Sequence, residues 1–191
     1  MDMYKLKFTT LQNEIFRLFC IKAGIFLNQR GIARILKVSP TAIANALPLL
    51  NKEKLIKIDK SKEMNLTLVQ FNRDNARAIN LKRIENLKLI YESGLVNFLF
   101  ESFPGATIIL FGSYSRGEDT LESDIDIAII GVKEKNLDLI KFDKLLERNI
   151  IINFYNSFKE IHKHLRDSIL NGILLSGSID IWNYQKNLNI I

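Results

Sequence analysis

Cysteine is almost missing. Cys20 is the single thiol in 191 residues, so no disulfide can form within the chain. It lies in an apolar helical stretch and is expected to be a small core side chain. The two histidines, His162 and His164, have no cysteine near them and read as surface residues on an amphipathic helix, not as zinc ligands. No apolar run reaches the ~18 residues of a membrane span. Met1 to Thr9 is polar and basic, without the apolar centre of a signal peptide. The expectation is a cytoplasmic protein with no membrane partner. Internal repeats and low-complexity segments are lacking too.

What is present is an ordinary globular composition, 47% hydrophobic and 25% charged, rich enough in Phe, Ile and Leu to build a core. The net charge of +6 is unevenly placed. Residues 1–74 hold 13 Lys+Arg against 6 Asp+Glu, residues 75–103 hold 4 against 3, and residues 104–191 hold 10 against 12. A basic front joined to a mildly acidic back points to a polyanion partner for the front.

Residues 1–74 have the pattern of three helices and a hairpin. Thr10 is expected to cap a helix over Leu11–Ala23, with Ile15, Leu18, Phe19 and Ile21 as its apolar positions. A second helix fits Gln29–Leu36, with Ile32, Ile35 and Leu36 facing inward. Ser39 is a good N-cap and Pro40 suits the first helical position of a third. Pro48 is expected to kink that helix or end it early. Leu55–Asp59 and Leu66–Phe71 read as strands around a Lys60–Glu63 turn. From Gly31 to Phe71 this layout resembles a winged helix-turn-helix module. The third helix, Pro40–Leu50, carries no Lys or Arg, so Thr41, Asn45 and Asn51 are the polar candidates for base contacts. Arg30, Arg34 and Lys37 before it, and Lys60 and Lys62 after it, are candidates for phosphate contacts.

Residues 75–103 form a linking helical segment with Ile79, Ile84, Leu87, Ile90, Leu95, Phe98 and Leu99 as its stripe. Gly94 marks a break and Pro104–Gly105 an end. Residues 104–191 alternate strand and helix: strands at Ala106–Phe111, Asp124–Ile130, Ile150–Tyr155 and Ile173–Leu175; helices at Asn136–Arg148, Ser157–Leu170 and Asp180–Asn187. Tyr155 and Trp182 read as core. The fold class is α/β or α+β, a small mixed sheet covered by helices.

The chemistry lies in Leu110–Gly117 and Ser123–Ile127. Gly112–Ser113 follows a buried strand. Glycine there admits a ligand close to the backbone, and the N–H groups of a helix beginning at Ser113 suit a phosphate. Asp124 and Asp126 are two residues apart on a strand, so both carboxylates project from one face. Two such carboxylates repel unless a cation lies between them, and Mg²⁺ binds through one or two carboxylates plus substrate phosphates.

Gly-Ser, ten residues, then Asp-x-Asp, within Phe-Gly-Ser-Tyr-Ser-Arg-Gly and Ser-Asp-Ile-Asp-Ile, resembles the signature of nucleotidyltransferases of the DNA polymerase β superfamily. The minimal members, several with an N-terminal winged helix, are the most similar in pattern. The resemblance implies a Mg²⁺-dependent transfer of a nucleoside monophosphate, usually AMP from ATP. It would place Gly112 and Ser113 on the triphosphate and Asp124 and Asp126 on Mg²⁺. Arg116 would contact phosphate or the domain's own carboxylates, Glu118 or Asp119 among them. Some minimal relatives are antitoxins that add AMP to a toxin, so the acceptor would be such a protein or a nucleic acid presented by the winged helix. One position departs from the pattern. The family's third carboxylate, metal ligand and base, falls on the strand Ile150–Phe154 at Asn153. An amide can coordinate weakly through its oxygen but cannot take a proton. Glu147 precedes that strand and is expected to face elsewhere. A DNA-binding regulator whose second domain holds nucleotide with little or no turnover is the competing reading.

Overall fold

The computed structural model describes residues 8–61 and 66–179. The expected helix at 180–187 with Trp182, and Lys62 in the wing, lie outside the described residues. The chain divides into two compact units, Met1–Glu85 and Asn86–Ile191.

The first unit has the order α1 (Thr10–Ile21), β1 (Leu27–Asn28), α2 (Gln29–Leu36), α3 (Pro40–Lys52), β2 (Ile56–Ser61), β3 (Leu66–Phe71) and the start of α4 (Ala76–Glu92). Its three strands form an antiparallel sheet ordered β1-β3-β2. This is a winged helix: three helices and a hairpin wing, with β1 as an added edge too short to be seen in the sequence. Thr9, not Thr10, caps α1, because Gln12 returns its side chain to the Thr9 N–H at 2.9 Å while the Thr9 hydroxyl takes the Gln12 N–H. Asn28 and Ser39 cap α2 and α3 through side chains that accept from Gly31 N–H and Ala42 N–H. Each cap satisfies a backbone donor the helix leaves open.

The core of this unit joins Ile15, Phe19, Ile32, Ile43, Leu47, Leu50, Leu55 and Val69, with Cys20 fully buried among them. Ile32 and Ala33 are the buried positions of α2; Ile35, expected inside, is exposed. Helix α3 runs through Pro48 to Lys52 rather than stopping at it. Pro48 lies on the exposed side, while Ile43, Ala46, Leu47 and Leu50 bury the other face. Burial of that stripe outweighs the one backbone bond that proline removes.

The second unit continues with the rest of α4, then α5 (Leu95–Ser102), β4 (Thr107–Phe111), α6 (Gly112–Arg116), β5 (Ile125–Ile130), α7 (Ile140–Leu146), β6 (Ile150–Tyr155), α8 (Lys163–Leu170) and β7 (Ile173–Ser176). Gly94 separates α4 from α5 in the left-handed region, φ 78°, a conformation that glycine adopts without steric cost. Ile84 on α4 is exposed, not part of a buried stripe. The Ser157–Leu170 stretch is a 3₁₀ turn at Phe158–Glu160 followed by α8, and the helix expected at 136–148 is shorter.

The sheet is mixed, ordered β6-β5-β4-β7, with β5 parallel to β6 and antiparallel to β4. Strand β5 sits inside it and alternates. Ile125, Ile127 and Ile129 enter a core with Leu95, Leu99, Leu110, Phe142 and Leu146. Ala128 and Ile130 enter a second core with Ile109, Phe111, Ile161 and Ile169 on the opposite face. Asp126 shares that second face and lies toward the end where cover runs out.

Replacing Pro48 with Ala restores a donor inside α3 at an exposed position. The expected outcome is a gain in stability of up to about 3 kcal/mol, the helix-interior difference between the two residues. Chemical denaturation followed by circular dichroism checks it; an unchanged midpoint shows that α3 has fully adapted to the proline.

Candidate active site

The register places the two halves of the motif together. Phe111 is the partner of Asp126 across β4 and β5, so the turn at Gly112 comes off the sheet beside the Asp126 carboxylate. Gly112 has φ 75°. A Cβ built there would overlap the Asp126 carboxylate, with Cγ at 3.2 Å and the Asp126 Cβ at 3.3 Å. Glycine is therefore favoured by the backbone conformation, and any larger residue would displace the Asp126 carboxylate. Helix α6 starts at this glycine, and no side chain caps its first turn. Ser113 is half-buried in that turn, as an anion cradle needs.

Asp124 is exposed and Asp126 half-buried. Burial, and next the charge of Asp124, push the Asp126 carboxyl above its ordinary 3.8, against an opposing pull from Arg116. That pairing of influences puts Asp124, Asp126 and Arg116 in one electrostatic neighbourhood. Arg116 reaches Glu118 at 2.8 Å, and both are about half exposed. Among the described residues no group of three or more His, Cys, Asp or Glu side chains forms a metal cluster. The strand expected from Asp124 begins at Ile125, so Asp124 stands one residue before β5; two neighbouring carboxylates are a poor site alone and a fitting one for a hard cation completed by phosphate oxygens and water.

Asn153 pairs with Ala128 on β5, while Ile151 is opposite Asp126. Residues two apart share a face, so Asn153 lies on the Asp126 side of the sheet, one step further along. Glu147, expected to face elsewhere, lines a cleft of about 340 Å³ together with Glu122, Asp124, Asp143, Lys144 and Asn149. The cleft reaches Asp124 and does not include Gly112 or Asp126.

Four polar residues around the site, Asp119, Asn86, Arg148 and Asn149, make bonds that no local pattern in the sequence announces. Asp119 is almost fully buried and bonds Asn86 Nδ2 at 2.7 Å and Arg148 Nη2 at 3.4 Å. In an acidic loop it resembles a solvated residue, and its partners lie 33 and 29 positions away, so nothing local announces them. Asn149 donates its side-chain N–H to Asp124 Oδ1 at 3.4 Å.

In the first unit, Arg30, Arg34, Lys37, Thr41 and Asn45 are all exposed. Thr41 and Asn45 are four apart on α3 and share its outer face. Lys60 belongs to β2, paired with Thr67.

Residues 93–176 match the family model described as a nucleotidyltransferase domain. An 88-residue stretch, 44% of this chain, is 36% identical to a protein of Methanocaldococcus jannaschii and covers 88% of it; that protein's name assigns it, provisionally, as a protein adenylyltransferase. Among solved structures, Lactococcus lactis ZitR in complex with DNA is 22% identical at a TM-score of 0.39, covering 53% of this chain and 66% of that one, just under two thirds of its length. The adhesin competence repressor AdcR of Streptococcus pyogenes is 18% identical at a TM-score of 0.41, covering 53% and 71%.

The raised carboxyl sets a stability prediction. An acid held above its ordinary value folds better protonated, so its contribution favours the fold at low pH and turns against it as pH rises through the folded value. Asp126→Asn should therefore raise the melting temperature at neutral pH, with the gap to the parent closing as pH falls toward 3.8. Thermal melts across that range check it; equal melting curves at neutral pH rule it out. Gly112→Ala should do the reverse, costing about 1–2 kcal/mol for the left-handed backbone alone and displacing the Asp126 carboxylate.

Proposed function

Because the chain belongs to the nucleotidyltransferase domain family, we propose that it transfers AMP from ATP, in a Mg²⁺-dependent reaction, to a hydroxyl on a protein or nucleic-acid acceptor. The observation that carries this reading is the contact between Gly112 and the Asp126 carboxylate. It joins a phosphate cradle and a carboxylate pair into one site. Gly112 and Ser113 bind the triphosphate through the open first turn of α6. Asp124 and Asp126 hold the cation. A bound Mg²⁺ supplies charge neutralisation at the phosphates and alignment of an in-line displacement with pyrophosphate leaving. Arg116, half exposed and tied to Glu118, is free to swing to a phosphate at little cost, because an exposed ion pair is worth little.

Asn153 lies on the correct face but cannot accept the acceptor's proton. Turnover is accordingly slow, and Asn153→Asp should raise it by roughly 10²-fold or more, the contribution of a positioned general base. The assay is transfer of label from ATP to protein or nucleic acid in lysate of the source cell, with Mg²⁺. Asp126→Asn should abolish the label. Label that persists in that variant removes these carboxylates from the reaction. ATP binding without any label, in the parent and in Asn153→Asp alike, favours the nucleotide-holding regulator.

For the winged helix we propose phosphate contacts through Arg30, Arg34 and Lys37, with Lys60 and Lys62 of the wing, and base contacts through Thr41 and Asn45. All but Thr41 and Asn45 carry charge, and α3 itself has none on its reading face, so binding is set by phosphates more than by bases. Arg34→Ala should lower DNA affinity evenly across sequences and reduce the slope of log affinity against log salt by about 0.9. A salt titration of a fluorescent duplex measures it; an unaltered slope takes Arg34 off the DNA.

A further inference from the structure

The buried Asp119–Arg148 pair has no place in the reaction proposed above, yet its bonds run through both halves of the site. Asp119 is 1% and Arg148 5% exposed. Arg148 Nη2 reaches Asp119 Oδ2 at 3.4 Å, and Nη1 donates to the Glu147 carbonyl at 2.9 Å. Arg148 is followed by Asn149, whose carbonyl accepts the Ile125 N–H at 2.8 Å and whose side chain donates to Asp124 Oδ1 at 3.4 Å. The chain from Asp119 to Ile125 is thus closed into a ring through Arg148 and Asn149, with Asp124 inside it. Within that ring Thr120 and Ser123 bond each other, N–H to hydroxyl at 2.9 Å and N–H to carbonyl at 3.1 Å. On the other side, Asn86 Nδ2 donates both to Asp119 Oδ1 at 2.7 Å and to the Tyr114 carbonyl at 2.9 Å. Tyr114 is the residue after Ser113 in the short helix α6.

From this arrangement we infer that Asp119 and Arg148 are positioning residues for metal binding: their buried pair holds the loop that carries Asp124 at a set distance from the Gly112–Ser113 turn. The need for such a device is physical. Asp124 stands one residue outside β5, beyond the ladder that fixes Asp126. It is exposed, and a neighbouring carboxylate repels it. Without a cation only the loop's own bonds hold it near Asp126, and an exposed Asn149 bond at 3.4 Å is a weak restraint. The Arg148–Asp119 contact is as long, but it is buried and Asp119 is held at its other oxygen by Asn86 at 2.7 Å, so this water-shielded set is the stiffer restraint. Residues that orient metal ligands typically alter affinity by roughly 10–100-fold when replaced.

The inference rests on the nucleotidyltransferase reading of the site, and the test separates the two. Mn²⁺ binding is followed by electron paramagnetic resonance with and without ATP, beside thermal melts, in the parent, in Asp119→Asn and in Arg148→Lys. The expected result is a parent that binds Mn²⁺ and single variants that remain folded yet bind it roughly 10–100-fold more weakly. Arg148→Lys, which keeps the charge, should lose less than Asp119→Asn. Removing one partner of a buried pair strains the fold, so the double variant Asp119→Asn/Arg148→Met serves if the single ones do not fold. It leaves no unpaired charge and keeps an acceptor for Asn86. A folded variant, single or double, that binds Mn²⁺ as the parent does overturns the inference and makes the pair simple packing. A folded parent that binds Mn²⁺ neither alone nor with ATP fails differently: it sinks the reading of Asp124 and Asp126 as the metal pair.

Discussion

The second unit depends on one close approach, a carboxylate lying against the α-carbon of a glycine. Asp126 lies on β5 and Gly112 directly follows the adjacent strand β4, and a β-carbon added at Gly112 would run into the Asp126 carboxylate. Strand pairing fixes the distance, since Phe111 and Asp126 are register partners. The positive φ of Gly112 turns the chain into α6 at that point, so that a helix start without a side-chain cap and acidic oxygens share one place. Neither would be favourable alone. A half-buried acid beside a second acid is electrostatically costly, and an uncapped helix start leaves donors unsatisfied. Under the function proposed above, a cation carrying a phosphate tail would relieve both at once.

The sheet explains why this costs the fold so little elsewhere. Strand β5 has hydrophobic cores on both faces, with Ile125, Ile127 and Ile129 on one and Ala128 and Ile130 on the other. Asp126 is the one polar interruption, placed near the strand's entrance where cover thins. Around it the loop from α6 to β5 is held by a buried ionic pair and two asparagines. Hydrophobic contact sets where β5 runs; directional polar bonds set how the loop leaves it. The first unit divides its work similarly, burying Ile43, Leu47 and Leu50 of α3 while Thr41, Asn45 and Pro48 face outward.

Much of this was legible in the residues alone, because it rests on local rules. Period and capping predicted α2 and β6 at their observed bounds, Gly94 as the break between α4 and α5, and Cys20 as core. The sequence marked Asp126 as strand-borne and Gly112 as the turn after a strand, while their meeting came from the pairing of β4 with β5. The misses share a cause as well. Ile35 outside, Ile84 outside and α3 continuing past Pro48 instead of ending early at it are cases where long-range packing overrode a local preference.

Sequence by itself determined most of the longer elements, the two-residue step between the carboxylates and the glycine at the turn, all of which follow from backbone geometry within a few residues. Only the tertiary structure decided that Asp119 is buried, that Arg148 and Asn86 come to it from positions 29 and 33 residues away, that Glu147 shares a cleft with Asp124, and that Asn153 falls on the Asp126 face one step beyond it. Those facts depend on which strands become neighbours and in what register, and register is set by how whole hydrophobic faces fit together.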